Sequence, residues 1–198
     1  MAKIIILGAG SMGTAFSYPC SDNNHDVTII GTHLEDDFID LINSQKKHPI
    51  LDCGIAKNVK FLKLKNLSEE INKKVDLIVV AVVSKGIEWA SLELCKVLKN
   101  NVPILILTKG LSIHNNNYEI LAHKIERILR ENGIKKTNIS AAGGPCLAKD
   151  LATKVHTSVV FANTDINVVN EIKKIVSTNY YHVSTTDDVI GVEVCAAI

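Results

Sequence analysis

Three glycines near the amino terminus are spaced as in loops that bind phosphate groups. The segment Lys3-Ile-Ile-Ile-Leu-Gly8-Ala-Gly10-Ser-Met-Gly13 fits G-x-G-x-x-G and joins an apolar run to a stretch of helical character. The first glycine allows a tight turn, the second a close approach to a pyrophosphate, and the third close packing of helix against strand. The N–H groups that open the helix then face the phosphates. The loop's predicted cofactor-binding residues are Gly8, Gly10, Ser11, Met12 and Gly13.

The end of the second apolar run is where the adenosine ribose of a dinucleotide would be recognised. An Asp or Glu there, about 20 residues past the loop, indicates NAD, whereas an Arg suits the 2′-phosphate of NADP. The run ends Ile29-Ile-Gly-Thr32-His33, with neither an acid nor an Arg. Glu35 and Asp36 come later and are expected to begin the next helix. Thr32 and His33 are therefore the predicted ribose contacts, although His33 could equally be an exposed loop residue, and the preference between NAD and NADP stays open.

Further candidates follow other apolar runs, because ligands of open α/β sheets bind beyond the carboxyl ends of the strands. Lys109 lies between the run 104–107 and Gly110. Its ammonium could bind a carbonyl or phosphate oxygen and stabilise alkoxide charge, and the alternative is a solvated loop lysine. A second glycine turn, Gly143-Gly144-Pro145-Cys146, precedes a helix and could hold the substrate or the nicotinamide, or be purely structural.

Composition argues against several other classes of protein. The net charge is +1, with 22 basic and 21 acidic residues, which gives no reason to expect nucleic acid or an acidic membrane as a partner. The five cysteines are widely spaced without a C-x-x-C pair, and the seven histidines lack metal-ligand spacing, so we expect reduced thiols and no metal. No stretch approaches the ~20 apolar residues of a membrane helix. These features predict a cytoplasmic protein without membrane insertion.

Apolar runs alternate with amphipathic segments along most of the chain. This pattern predicts a doubly wound, mostly parallel α/β sheet, with strands buried on both faces. The predicted strands are Lys3–Leu7, Asp26–Gly31, Val59–Leu62, Val75–Val82, Pro103–Thr108, Asn138–Ala142, Thr157–Ala162 and Tyr180–Val183. The predicted helices are Ser11–Asn23, Glu35–Asn43, Ile87–Leu98, Tyr118–Glu131, Pro145–Thr153 and Ile166–Ser177. Trp89 is expected to serve packing, and the Asn115–Asn117 tract to be an exposed loop.

The last residues have a different character. Thr185 or Thr186 could cap a helix whose early acids, Asp187 and Asp188, favour its positive end. The helix then becomes apolar and reaches Ile198 without a C-cap signal. We therefore expect residues 1–184 to form the dinucleotide-binding domain and residues 185–198 to begin a helix that leads into a second, absent domain.

Four motifs together resemble the NAD(P)-dependent glycerol-3-phosphate dehydrogenase family. The glycine loop continues as Gly8-Ala-Gly-Ser-Met-Gly-Thr-Ala, similar to the family's G-A-G-S-x-G-T-A. Thr108-Lys-Gly-Leu resembles its T-K-G-L/I, and Gly144-Pro-Cys-Leu-Ala-Lys-Asp150 its G-P-[ST]-x-A-x-E. Gly191-Val-Glu-Val-Cys-Ala-Ala-Ile198 resembles G-x-E-x-x-x-A-[LIV]. The order and spacing of the four motifs carry the resemblance over essentially the whole chain.

The resemblance implies reversible reduction of dihydroxyacetone phosphate to sn-glycerol 3-phosphate with NADH or NADPH, in a pathway that feeds phospholipid synthesis. It implies a Rossmann-like fold with a helical second domain, and a homodimer is compatible with it for the full-length enzyme. Lys109 matches a lysine that contacts both cofactor and substrate and is the one catalytic candidate in this chain. The implied cofactor contacts outside the loop are Thr32, His33, Ser84, Lys109 and Ala148, and the implied substrate contacts are Lys109, Gly144 and Cys146.

Other implications concern what this chain lacks or changes. The family's catalytic lysine would follow Ile198, so we expect dinucleotide binding with little or no turnover. Cys146 stands where the family has Ser or Thr, and Thr32 where Arg or His is common, which puts those two contacts in doubt. A ketopantoate reductase or hydroxyacyl-CoA dehydrogenase would share the loop and the sheet but not the second and third motifs. A non-catalytic nucleotide-sensing domain is the alternative from another class, and it would need the loop but not Lys109.

Overall fold

The computed structural model describes residues 1–99 and 101–198. The strands within these residues are β1 (Lys3–Leu7), β2 (Asp26–Ile30), β3 (Lys47–His48), β4 (Cys53–Gly54), β5 (Val59–Leu62), β6 (Leu77–Val80), β7 (Pro103–Ile106), β8 (Leu111–His114), β9 (Asn117–Ile120), β10 (Asn138–Gly143), β11 (Thr157–Ala162) and β12 (Tyr181–Thr186). The α-helices are α1 (Ser11–Asp22), α2 (Asp36–Gln45), α3 (Leu67–Asn72), α4 (Ile87–Val97), α5 (Leu121–Glu131), α6 (Ala148–Ala152), α7 (Ile166–Val176) and α8 (Val189–Ala197). None of these helices is both long and apolar enough to cross a lipid bilayer.

Eight of the strands form one sheet in the order β12-β11-β10-β7-β6-β1-β2-β5. All neighbours run parallel except β10 and β11, which are antiparallel. The predicted fold class, a doubly wound and mostly parallel α/β sheet, is confirmed. Every predicted strand is present, with ends displaced by no more than three residues.

The sheet is covered on both faces, as its continuous apolar strands predict. Successive residues of β2 alternate between two hydrophobic layers: Ile29 belongs to the layer that contains helices α1, α6 and α7, and Ile30 to the layer that contains α3, α4 and α5. Both side chains are fully buried, as is all of Ile4–Leu7 in β1. Both layers therefore pack against the strand ends, and this packing positions the loops that follow them.

A hairpin occupies the segment where the sequence predicts a loop and the start of a helix. Strands β8 and β9 pair antiparallel across Asn115 and Asn116, whose φ angles are 50° and 60°. Positive φ at both central residues is the geometry of a tight type I′ hairpin turn, and Asn adopts it readily. The Asn115–Asn117 tract is exposed, as predicted, but its loop is reduced to a two-residue turn because Asn117 begins β9. Helix α5 begins at Leu121 instead of Tyr118.

The carboxyl-terminal elements also begin later than predicted. Strand β12 runs to Thr186, and helix α8 starts at Val189, where the Asp188 side chain accepts a hydrogen bond of 2.8 Å from the N–H of Gly191. Capping by Thr185 or Thr186 is thus wrong. The division of the chain at residue 184 stays a prediction. Three other differences are the short strand pair β3–β4 and the short helix α3, which were not predicted, and a helix α6 that is confined to residues 148–152.

Helix α8 is fixed to the rest of the domain through a buried carboxylate. Glu193 is 5% exposed and its two oxygens accept from the backbone N–H groups of Leu121 and Ala122, at 2.8 and 2.9 Å. These donors open helix α5, whose first turn has no other cap. Burial raises the pKa of Glu193, and the two hydrogen bonds oppose that rise. One side chain of α8 therefore completes the amino terminus of another helix.

Candidate functional site

The glycine-rich loop joins β1 to α1, and two of its glycines have no room for a side chain. Gly8 has φ +113°, and a Cβ there would lie 2.6 Å from the carbonyl oxygen of Ala81. A Cβ on Gly13 would lie far inside contact distance of the Gly8 carbonyl oxygen and 3.0 Å from the Ala81 Cβ. Gly8 therefore makes the turn, and Gly13 allows helix α1 to pack closely on the strand layer.

Gly10 differs from the other two glycines because its surroundings are open. Nothing lies within 4 Å of a Cβ built there, and the residue takes the N-cap position of the twelve-residue helix α1 without a side-chain cap. The first helical N–H bonded within this turn is that of Thr14, to the Gly10 carbonyl oxygen at 3.0 Å. The N–H groups of residues 11–13 are thus available to an anion at the positive end of the helix.

His48 contacts the glycine turn, although the sequence analysis did not identify it as a candidate site residue. The ring is fully buried, with Nε2 3.2 Å from the Ala9 carbonyl oxygen and Nδ1 accepting from the Leu51 N–H at 3.1 Å. Because a carbonyl can only accept, Nε2 carries the proton and the ring is neutral. Burial lowers the pKa of His48 despite the opposing hydrogen bond to Ala9. No sequence spacing signals this contact.

The carboxylate of Glu35 lies at the end of β2, although no acid directly follows this strand in the sequence. Residues 31–35 fold back before helix α2, and the Glu35 carboxylate accepts from the Thr32 N–H at 2.7 Å and the Ala9 N–H at 3.1 Å. Glu35 is the N-cap residue of α2 and Asp36 its first residue, so the expectation that these acids begin the next helix is confirmed, and the Glu35 side chain in addition binds the end of β2. The available signal was its position about 20 residues past the loop, where such acids occur.

His33 and Trp89 meet beside this turn. Their ring centroids are 4.8 Å apart, with His33 exposed and Trp89 partly buried on helix α4. Trp89 packs partly against the core layer of α4, as predicted, and its ring also lies next to His33, a predicted ribose contact. This part of the site therefore has an aromatic wall that sequence order does not reveal.

The turns after β6, β7 and β10 converge. The Thr108 hydroxyl donates to the Val82 carbonyl oxygen at 2.6 Å, and the Lys109 ammonium donates to the Gly144 carbonyl oxygen at 2.7 Å. A Cβ on Gly110 would lie 3.5 Å from that of Ser84. The structure thus brings together Ser84, Lys109 and Gly144, three residues that are predicted to bind cofactor or substrate.

Beside Lys109 and Gly144 lies a cleft of 680 Å³, bordered on its far side by helix α8 through Gly191, Val192 and Cys195. Cys146 follows Gly144 and is partly buried, which raises the pKa of its thiol. Its N–H donates to the Gly144 carbonyl oxygen at 3.0 Å. Ala148 is the first residue of helix α6, which packs on α1. A neutral thiol at position 146 can only weakly replace a hydroxyl as a hydrogen-bonding group.

All the predicted site residues lie at one edge of the sheet, after the adjacent parallel strands β10, β7, β6, β1 and β2. Counting β5 as well, the six parallel strands stand in the order 3-2-1-4-5-6 of their sequence, with the glycine turn after the first of them. This arrangement defines the Rossmann-like class of doubly wound domains.

Within that class, the chain belongs to the family described as NAD-dependent glycerol-3-phosphate dehydrogenase N-terminus, which matches residues 3–169. The NADP(+)-dependent glycerol-3-phosphate dehydrogenase of Archaeoglobus fulgidus is 29% identical over 198 residues, covering 98% of this chain and 56% of its own length. A glycerol-3-phosphate dehydrogenase [NAD(P)+] of Streptococcus agalactiae is 30% identical, covering 99% of this chain and 56% of its own length. The chain thus spans about half the length of the curated relatives it matches.

Solved structures support the fold. The glycerol-3-phosphate dehydrogenase of Coxiella burnetii has a TM-score of 0.83 at 21% identity, covering 98% of this chain and 57% of its own. That of Plasmodium falciparum has a TM-score of 0.85 at 20% identity, covering 98% of this chain and 55% of its own. A structure named as a putative 2-dehydropantoate 2-reductase, from Enterococcus faecalis, has a lower TM-score of 0.65. The fold therefore matches glycerol-3-phosphate dehydrogenases over nearly the whole chain.

Proposed function

We propose that this chain is the cofactor-binding half of a glycerol-3-phosphate dehydrogenase, which transfers hydride reversibly between NADH or NADPH and dihydroxyacetone phosphate. The observation that carries the proposal is the convergence of Lys109, Gly144 and Ser84 at the same sheet edge as the open glycine turn. A nucleotide-sensing domain needs only the turn, whereas a cation beside a cleft suits a reaction in which a carbonyl becomes an alkoxide.

The dinucleotide supplies the hydride, and the chain's own groups bind and orient it. The N–H groups of residues 11–13 would hold the pyrophosphate at the start of helix α1. Ser84 and Ala148 are proposed as further cofactor contacts, and Thr32 and His33, in the turn after β2, would contact the adenosine ribose. The open space at Gly10 fits the close approach that a pyrophosphate requires.

Lys109 is the proposed catalytic group on this chain. Its ammonium, held by the Gly144 carbonyl oxygen, carries a positive charge at the border of the cleft. A substrate oxygen bound there would be stabilised as its negative charge develops. Gly144 lines the cleft and Cys146 lies two residues after it in the chain, and both are proposed as substrate contacts. The substrate's phosphate and the remaining proton chemistry are assigned to the part of the relatives' length that this chain does not span.

We also propose a cytoplasmic location, which the five free cysteines support because unpaired thiols persist in a reducing compartment. The full-length protein is proposed to act on small molecules alone, as a monomer or a homodimer, with its product used for phospholipid synthesis. Residues 1–184 are proposed as the dinucleotide-binding domain and residues 185–198 as the start of the connection to a second domain.

The test is oxidation of NADH and NADPH that depends on dihydroxyacetone phosphate, followed by absorbance. The assay is run on this chain and, where the gene continues past Ile198, on the longer product. We expect dinucleotide binding by both proteins and turnover by the longer one. Ketopantoate and acetoacetyl-CoA serve as control substrates. Binding of dinucleotide by both proteins with no turnover of dihydroxyacetone phosphate by either would refute the proposed reaction.

A further inference from the structure

We propose that Glu35 recognises the adenosine ribose and makes this chain selective for NAD over NADP. The inference rests on the proposed function and names the dinucleotide that the same site accepts. Its starting point is the carboxylate's position: Glu35 Oε2 lies 2.7 Å from the Thr32 nitrogen and 3.1 Å from the Ala9 nitrogen. Ala9 is the second residue of the glycine turn, so the carboxylate stands between that turn and the end of β2.

This position is built into the local fold. A Cβ on Gly31 would lie 2.8 Å from Ile39 Cγ1 and 3.4 Å from the Glu35 Cβ. The absence of a side chain at Gly31 therefore lets the segment from Thr32 to Glu35 fold back against the strand. The Glu35 N–H donates to the Thr32 carbonyl oxygen at 3.0 Å, which closes the turn. The position of the carboxylate is thus determined by its hydrogen bonds to two backbone N–H groups as well as by the side-chain rotamer of Glu35.

The carboxylate retains capacity for a ligand. Glu35 Oε1 has no hydrogen-bond partner among residues 1–99 and 101–198, and Oε2 has the two backbone donors described above. An ionised carboxylate offers about four acceptor positions and no donor. The ribose of NAD presents hydroxyl donors that match this surface. The 2′-phosphate of NADP presents only charged acceptors, so it would meet like charge without a hydrogen bond.

The turn itself offers no fixed positive charge to a 2′-phosphate. Residues 31–37 contain no Lys or Arg. The one residue of the turn that can carry a positive charge is His33, whose ring lies against Trp89. The Archaeoglobus relative is named for NADP(+), so the proposal distinguishes this chain from it.

Trp89, the single tryptophan of the chain, provides the measurement because it lies beside the turn. Quenching of its fluorescence is titrated with NADH and with NADPH, on the wild-type chain, on Glu35→Gln and on the control Asp36→Asn. We expect the wild-type chain to bind NADH at least about tenfold more tightly than NADPH. Glu35→Gln should bring the two affinities within about threefold, because an amide can donate to the phosphate, and Asp36→Asn should keep the wild-type ratio.

A change on the ligand gives an independent test that needs no variant. An NADH analogue that lacks the adenosine 2′-hydroxyl should bind the wild-type chain about tenfold more weakly than NADH. Equal binding of this analogue, equal wild-type affinities for NADH and NADPH, or an unchanged ratio in a folded Glu35→Gln would each overturn the assignment of Glu35. Failure of the wild-type chain to bind either dinucleotide would instead refute the proposed function.

Discussion

Gly8 and Gly13 have no space for a side chain, whereas Gly10 has, so the three glycines of one motif serve different purposes. The first two determine whether the turn can form against Ala81, and the middle one leaves room for a ligand. A sequence pattern alone cannot separate these roles, because it records spacing and not the distance to a strand that lies far away in the sequence.

Alanine substitutions should separate the two roles. Gly13→Ala forces a methyl group against the Gly8 carbonyl and should lower the free energy of unfolding by about 1–3 kcal/mol. Gly10→Ala meets no atom within 4 Å and should unfold at nearly the wild-type urea concentration, yet bind dinucleotide more weakly. Urea unfolding and Trp89 titration measure the two properties. Equal losses of stability in both variants would contradict this division of roles.

His48 should make the stability of the domain depend on pH. Its pKa is lowered in the folded state, so below the ordinary value of about 6.5 the unfolded chain binds a proton more readily than the folded chain. Stability is therefore complete above that pH and falls as the pH falls towards the folded-state pKa. Protonation would also remove the acceptor that Nδ1 offers to the Leu51 N–H.

Urea unfolding at pH 7.5 and 5.5 measures this effect. His48→Gln should show a smaller difference between the two pH values than the wild-type chain, because its side chain does not titrate. The control His123→Gln removes an exposed histidine and should keep the wild-type difference. If His48→Gln shows the same difference in stability between pH 7.5 and 5.5 as the wild-type chain, the pH dependence comes from other groups.

At the scale of elements, the sequence predicts the sheet well and the turns poorly. Segments such as Ile4–Leu7 are apolar on both faces, and a strand covered by helices on both sides buries all of their side chains. The β8–β9 hairpin was missed because the φ angles of Asn115 and Asn116 decide it, and Asn is equally common in plain loops. The predicted loop, ribose and lysine positions all lie at one edge, but Glu35 and His48 reach it through turns whose course the sequence does not specify.

The link between helices α8 and α5 gives a prediction at this scale. Glu193→Ala leaves the buried N–H groups of Leu121 and Ala122 without an acceptor and should cost about 2 kcal/mol of stability. Glu126→Ala is the control, since it removes a solvent-exposed ion pair with Arg130 and should cost less than about 0.5 kcal/mol. Urea unfolding distinguishes them. A loss below about 0.5 kcal/mol in Glu193→Ala would mean that water replaces the carboxylate at this helix terminus.

The whole molecule is predicted to unfold as one unit, because a single sheet separates two hydrophobic layers. Ile29 and Ile30 are fully buried neighbours in β2 that face opposite layers. Ile29→Val and Ile30→Val should each cost about 0.5–1.5 kcal/mol. Trp89 packs against the layer that contains Ile30 and not Ile29. If the molecule unfolds as one unit, Trp89 fluorescence and circular dichroism should still give the same urea midpoint in both variants. Separate midpoints by the two methods would show that the layers unfold independently.

The contact of Gly8 and Gly13 with Ala81 has a consequence for the order in which the protein is made. A ribosome releases the glycine turn among the first residues, but the backbone that closes it belongs to the turn after β6 and emerges about 70 residues later. Until then β1 lacks one of its two neighbouring strands, and the turn lacks the surface on which it rests. We therefore expect a nascent chain that ends before β6 to carry the phosphate-binding motif without binding a cofactor.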